Sequence, residues 1–528
     1  MRTALVLLLT VSQLACHGHE AVKSPAPPAP AQPADVIAIA SVRSVVDAAA
    51  GIRAYADAVR PGAGVFVSVA NASQGIASML GAASADGIAM DRPLHLILLD
   101  PRKYPKHPVV LLAHADPARL RLGAEVAVVS KEGVSLLGDR AAVDLCAAWA
   151  LGPLAAEEAP ARPTVRVDPR ALLERYRAEI ERGMKMATQA IEQQGSGIGP
   201  MLMAELDIML RIARQTREVR LALAADAAEA ALELSFTPIP GSAFEQFNRA
   251  QRPAQADLLA RVASPRSTMI MIGYYAIGPV GDDLYALVGP TLARWVGTSA
   301  DASFRRRWDD ALGHFKGPFA AAGGEGSVVA GVMRHVLMVD DGPKTIAAMT
   351  ALFPWTRPTH VEMGGIGMDM TPRRAVATHE GISIDEAVIH YDWSKLPPAQ
   401  AAQMRALSQS DPHVAMAGFD HYVAIAMGPQ GAVDEMKRLI GVVRRGPAGQ
   451  LPPGARTAVD AATGRKASFL VFMNLAAMMQ AATGKTTSPA SPATSGMTME
   501  VGFPDGDALI RFGMPAAHVG DLQRTFAP

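Results

Sequence analysis

Hydrophobic positions along this chain recur with two periods. Every second residue is apolar in "VRLALAAD" (219–226) and "HYVAIAM" (421–427), the mark of strands with one face buried. Spacings of three and four in "RAAVDLCAAWA" (140–150) and from Leu172 to Ile191 predict helices. The run "STMIMIGYYAIGPVG" (267–281) is nearly continuous in apolar residues and reads as a core strand broken by glycines.

The order of these elements repeats. "VFVSVANASQGIASMLG" (65–81) reads as strand, small-residue turn and helix, as does "HVLMVDDGPKTIAAMTAL" (335–352); Gly-Ile-x-Met-Asp follows each, starting at Gly87 and Gly365. "EVAVVSKEGVSLLGDRAAVDLCAAW" (125–149) and "HVAMAGFDHYVAIAMGPQGAVDEMKRLI" (413–440) both read strand, turn, strand, helix. "TVRVDPRALLERY" (164–176) matches "SFLVFMNLAAMMQ" (468–480) as a strand running into a helix. Two hairpins with an Asp in the turn, 219–240 and 497–515, complete four ordered blocks, and Asp226 and Asp505 lie 279 residues apart. A recurring order at a nearly constant offset indicates internal duplication. The expected fold class is α+β: two tandem pseudo-repeats, 36–262 and 263–528, each a mainly antiparallel sheet with helices packed on it. Segments 65–250 and 335–526 should superpose, either as separate units or as parts of one extended sheet.

The repeats differ in one place. The first carries a long helical hairpin over 169–219, in which Leu172, Leu173, Tyr176, Ile180, Met184 and Ile191 form one stripe and "GSGIGP" breaks it. Asp168-Pro169 provides an N-cap with proline at the first helical position. The second repeat has a Ser/Thr/Pro-rich loop there, "AATGKTTSPASPATSG" (481–496). The stripe is expected to cover the sheet, and a docking face is the alternative.

The N-terminus adds a location. Arg2 precedes the apolar "ALVLLLTV" (4–11), which is of signal-peptide length and too short to span a bilayer, and Ala15 precedes Cys16. This resembles a bacterial lipoprotein signal over residues 1–15, although Gln13 stands where that pattern has an aliphatic residue. The resemblance implies that Cys16 is the lipid attachment site and first mature residue; plain secretion with cleavage nearby and an uncleaved anchor are the alternatives. Residues 16–35, with "AVKSPAPPAPAQPAD" (21–35), then form a Pro/Ala tether. Cys16, His17, His19 and Glu20 have no folded shell around them to assemble a metal site.

Composition narrows the remaining classes. Fifty basic and fifty acidic residues cancel and are interspersed, so no nucleic-acid partner is indicated. There are two cysteines; with Cys16 acylated, Cys146 has no partner for a disulfide and reads as a buried inert thiol. "TGKTT" (483–487) lacks the glycine, strand and helix of a phosphate loop. "GSGIG" (195–199) and "GEGSVVAG" (324–331) lack the spacing of a nucleophile elbow. Histidines lie beside acids in "HVE" (360–362), "THE" (378–380), "HYD" (390–392) and "FDH" (419–421), which reads first as solvated strand faces and only distantly as a hydrolase site. Methionine is over-represented at 26 residues, with Met-x-Met at 184–186, 201–203, 269–271, 368–370 and 497–499. Core packing is the first reading, an adaptable apolar cavity the second and soft Cu(I) ligation a remote third.

The ordered duplication behind an export signal is similar to uncharacterised two-repeat exported proteins of Gram-negative bacteria, whose halves carry a Gly-Ile-x-(apolar)-Asp step ahead of paired strands. The resemblance implies a fold type and a cell-envelope location, and no catalytic, cofactor-binding or metal-binding residue comes with it. The expected function is a non-catalytic envelope lipoprotein acting by binding or assembly, held to the membrane by acyl chains on Cys16, with a protein partner or an apolar ligand. The alternative is a periplasmic carrier for a lipid-like ligand, and a hydrolase is a distant third.

Overall fold

The computed structural model describes residues 29–526, apart from positions 83, 106–107, 117, 194–198, 275, 277–280, 296–297, 326–330, 353–357, 364–365, 409–410, 430, 447–449 and 484–494. Its strands in chain order are β1 (Val36–Val42), β2 (Leu94–Leu99), β3 (Val109–His114), β4 (Val126–Lys131), β5 (Val134–Asp139), β6 (Thr164–Val167), β7 (Thr216–Ala225), β8 (Glu229–Pro238) and β9 (Met269–Tyr274). They continue with β10 (Phe315–Glu325), β11 (Val332–Val339), β12 (Thr359–Met363), β13 (Ile366–His379), β14 (Ile382–Asp392) and β15 (His413–Phe419). Last come β16 (Tyr422–Gly428), β17 (Phe469–Met473), β18 (Met497–Gly502) and β19 (Ala508–Pro515).

Among the described residues every pairing is antiparallel, and the pairings join the nineteen strands into one sheet. In space the order is β4, β5, β3, β2, β1, β6, β7, β8, then β19, β18, β17, β9, β10, β11, β16, β15, β14, β13, β12. Of the two expected arrangements, one shared sheet is the one observed. Read outward from the β8–β19 seam, the two arms take their strands in the same succession, and the registers agree. The partners Leu234, Leu221, Val165, Ala40, Leu96, Leu111, Leu137 and Val128 in one arm stand to each other as Phe512, Met499, Val471, Met271, Ala321, His335, Ile425 and Met416 do in the other.

Each arm is packed on both faces at its outer part. On one face, Ile39, Ile97, Val110, Leu112 and Leu136 meet Val143, Cys146 and Trp149 of helix Arg140–Trp149. The matching core of the other arm sets Ile270, Ile272, Val336, Leu470 and Phe472 against Met436, Leu439, Ile440 and Val443 of helix Ala432–Arg445. On the opposite face, helix Val69–Met79 lays Ile76 and Ala77 on Val42, Leu94, Leu111 and Leu137, and helix Gly342–Leu352 lays Ile346 on Met416 and Val423. Asp139 starts the first of these helices by accepting from the Ala141 and Ala142 backbone N–H groups, at 3.0 and 3.4 Å.

Three expectations need correction. "VFVSV" is not a strand: Ala63–Phe66 is a short 3-10 turn entered through Gly62 at φ +82°, and Ser68 then caps helix Val69–Met79 by accepting from Asn71 N–H at 3.1 Å. The strand in 335–352 is β11, whose register counterpart is β3, so the first pair of blocks was misaligned while the other three stand in matching places. Gly365 lies outside the described residues. The hairpin is three helices, Pro169–Arg175, Arg177–Gln193 and Gly199–Arg214, and β7 already begins at Thr216. Its stripe is interrupted at Tyr176, whose φ of −103° and ψ of 20° leave the helical region. Asp168 caps it as expected, accepting from the Arg170 and Ala171 N–H groups at 2.9 and 3.0 Å with Pro169 in the first turn. The second arm has a surplus of its own, β12–β14, on its outer edge.

Candidate apolar binding site

Between the covered wings the sheet is amphipathic. Side chains alternate along a strand, so cross-strand partners share a face. Ala40, Val165, Leu221, Leu234, Ile510 and Val501 are successive partners on β1, β6, β7, β8, β19 and β18. Leu223, Leu232, Phe512 and Met499 form the next row on the same face. The reverse face carries Arg166, Arg220, Glu233, Arg511 and Glu500. Charge pairing satisfies that face: Arg511 reaches Glu229, Glu233 and Glu500, and Arg465 donates to Glu500 at 2.7 Å.

The apolar face is not fully covered. Leu221, Leu223, Leu232 and Phe512 keep 38, 37, 41 and 40% of their surface exposed, in an unbroken patch across the seam where a core would have buried them. Helix Val45–Val59 runs across this face against β7 and β8. Gly51 permits the crossing, because a Cβ there would lie 2.4 Å from the Ala225 carbonyl oxygen. Tyr55 then anchors the helix by donating to the Met514 carbonyl at 3.1 Å. The helix, Ile76 of the neighbouring helix and the sheet enclose an open groove of about 330 Å³, walled by Val42, Val45, Leu96, Val165 and the three leucines.

One end of the groove is polar. A recess of about 180 Å³ shares Ala48, Pro163 and Leu223 with it and adds Asp47, Arg162 and Asp226. Arg162 donates to both carboxylate oxygens of Glu233, at 2.9 and 2.8 Å. Asp226 accepts from the N–H groups of Ala228 and Glu229 at 2.8 and 3.0 Å, which hold its carboxyl below the usual range. The recess is therefore lined by the acidic Asp47 and Asp226 and by Arg162, whose guanidinium is already paired with Glu233, beside a groove with almost no polar atom.

Other polar groups serve the frame. Asp100, buried at the end of β2, accepts from Arg102 Nη2 at 2.8 Å and from the Tyr176 hydroxyl at 3.0 Å, fastening the base of the helical hairpin to the sheet. Ser41 Oγ and His95 Nδ1 are 2.8 Å apart, but burial pushes His95 down to about 4, which leaves a neutral imidazole of low basicity on a regular strand. At the far edge, His360 Nδ1 meets Asp369 at 2.7 Å, His390 Nδ1 meets Asp411 at 3.0 Å and His413 Nδ1 meets Glu386 at 2.9 Å. These are acid–imidazole pairs. Among the described residues there is no group of three or more His, Cys, Asp or Glu side chains able to hold a metal ion.

No family model matches the chain, and no curated protein matches it. Two solved structures, crystal forms III and I of TP0453, align with 50 and 51% of this chain and 97 and 98% of their own, at 8 and 9% identity and a TM-score of 0.22 each.

The groove residues were missed as a site, although the alternation in "VRLALAAD" had placed Leu221 and Leu223 on one face. Cys16 lies outside the described residues, as does most of 481–496. Cys146 is completely buried and its thiol is pushed up to about 11 by desolvation, in line with an inert core cysteine. Ile180 and Met184 are half-buried, so the hairpin stripe is neither a core lid nor a bare surface. The second long helix of the hairpin packs on helix Gly281–Trp295 of the other arm. Of the Met-x-Met pairs, 184–186 and 201–203 are helical and 368–370 is in β13, whereas 269–271 and 497–499 lie in β9 and β18.

Proposed function

We propose that this chain is a non-catalytic binding protein of the cell envelope whose ligand is a single-chain, lipid-like amphiphile. The observation that carries the reading is the junction of an open apolar groove of about 330 Å³ with a polar recess lined by Asp47, Arg162 and Asp226. A volume at the lower end of ligand-binding cavities suits one acyl chain rather than two. Exposing three adjacent leucines is unfavourable by roughly 25 cal/mol per Å² of apolar surface left in water, and an acyl chain laid on them recovers it. Asp47 and Asp226 suit a polar end that carries a positive group.

The envelope location rests on the lipoprotein-like signal over residues 1–15 and on Cys16 after it, whose acyl chains would hold the protein at a membrane. In addition, among the described residues no helix is long and apolar enough to cross one. Common strand order and register support descent of the two arms from one duplicated unit. Leu221 and Leu234 correspond to Met499 and Phe512 at an offset of 278, which makes Glu233 the counterpart of Arg511, and these two face each other across the seam. A seam between identical hairpins would set a residue against its own copy; divergence has put opposite charges there.

Native mass spectrometry of protein purified from its own envelope tests the reading, followed by titration of the delipidated protein with 1-palmitoyl-lysophosphatidylcholine. Co-purified amphiphile or saturable micromolar binding is expected. Absence of both would refute the proposal.

A further inference from the structure

The register match has a chemical consequence for the methionines. Carried across the seam, the groove residues Ala40, Val165, Leu221, Leu223 and Leu232 become Met271, Val471, Met499, Val501 and Ile510. All but Val471 are half-buried and face the same side of the sheet as the groove. One pair further along, Met269, Met473 and Met497 are direct partners on β9, β17 and β18, again on this face and half-buried. Two of the Met-x-Met pairs thus converge on one patch through strands distant in the chain.

The patch also has an aromatic wall. Gly273 stands where the first arm has Val42, and a Cβ there would lie 2.4 Å from the Phe319 ring. Its absence lets Phe319 and Phe469 lean together over the strand, with centroids 6.1 Å apart. The surface is continuous with the groove through the exposed pair Leu232 and Phe512 at the seam.

We propose that this methionine-lined face of the second arm is a second binding site, occupied by a second molecule of the same single-chain amphiphile. The proposal rests on the lipid-binding reading of the first groove. Its occupant follows from equivalence of position and from continuity with that groove. Its specificity differs: unbranched thioethers re-pack around chains of different shape, where Ala, Val and Leu offer a fixed floor. The second site should therefore accept kinked and straight chains alike.

Native mass spectrometry of the delipidated full chain with 1-palmitoyl-lysophosphatidylcholine reads the stoichiometry. Two bound molecules are expected for the wild type, one for Leu223→Lys, one for Met499→Lys and none for the double variant. Oxidation footprinting of the wild type with hydrogen peroxide keeps the test independent of how the variants fold. Saturating amphiphile should slow sulfoxide formation at Met271 and Met499 at least fivefold, and leave Met186 and Met209, 64 and 66% exposed on the helical hairpin, unchanged. One bound molecule, lost in Leu223→Lys and kept in Met499→Lys without protection of the methionines, would overturn the second site and leave the first standing. Two molecules retained in Met499→Lys would also overturn it. No bound molecule in the wild type would remove both readings.

Discussion

Leu223→Lys separates binding from folding at the groove. Leu223 pairs with Leu232 across β7 and β8 and is 37% exposed, so about three-fifths of its surface is already out of water. Full burial of a leucine is worth about 1.5–3 kcal/mol, which puts the cost of losing this fraction at roughly 1–2 kcal/mol. A lysine stem can lie along the sheet with its ammonium in solvent, and this keeps the loss toward the lower end of that range. The effect on a bound acyl chain is larger. A charged head in the groove displaces about three or four methylenes at about 0.8 kcal/mol each, or about 2.4–3.2 kcal/mol, a weakening of roughly 60- to 200-fold. Fluorescence titration with a dansyl-labelled single-chain amphiphile measures this, beside a circular-dichroism melt. Both proteins carry Met499→Lys, so that only the first groove is read. A dissociation constant changed less than threefold by Leu223→Lys, in a protein that melts normally, would refute the assignment of β7 and β8 as the groove floor.

Three further outcomes follow from the frame. Asp100→Asn removes a buried charge that accepts from Arg102 and Tyr176, and should cost about 1–3 kcal/mol, read as a lower denaturant midpoint and earlier proteolysis within 177–214. Those donors hold the Asp100 carboxyl well below its unfolded value. Its stabilisation is therefore complete above about pH 5 and is lost as pH falls through the carboxylate range and below; the acid-unfolding midpoint of Asp100→Asn should be less steep in pH than that of the wild type. In a Cys16→Ser background, the buried Cys146 should resist iodoacetamide at pH 8 until guanidinium unfolds the chain, and rapid labelling of the native protein would contradict its burial. An alkyne fatty acid fed to cells should label the wild type and not Cys16→Ser; equal labelling would exclude acylation at Cys16.

Local pattern determined much of this protein. Period-two alternation located β7 and β16, the Asp168-Pro169 step located a helix start, and three blocks recurring in order matched elements that occupy equivalent places in the two arms. These are short-range properties: alternation and capping depend on residues a few positions apart. What failed locally was "VFVSV", where apolar alternation met Gly62 and the Ser68 cap, and turn chemistry prevailed over the pattern. Only tertiary structure decided the rest. That β8 pairs with β19, and so fuses two arms into one sheet, depends on partners more than 270 residues apart. Alternation states that Leu221 and Leu223 share a face, but not whether a helix covers it. Here helix Val45–Val59 crosses the face and leaves those leucines exposed, with Asp47, Arg162 and Asp226 gathered at one end from three separate segments. The methionines behave alike: in sequence they are five scattered pairs, and the order of β9, β17 and β18 alone brings two of them into one surface. Periodicity carries the orientation of a side chain relative to its own strand, while the identity of the neighbouring strand, and hence any site, is set by long-range pairing.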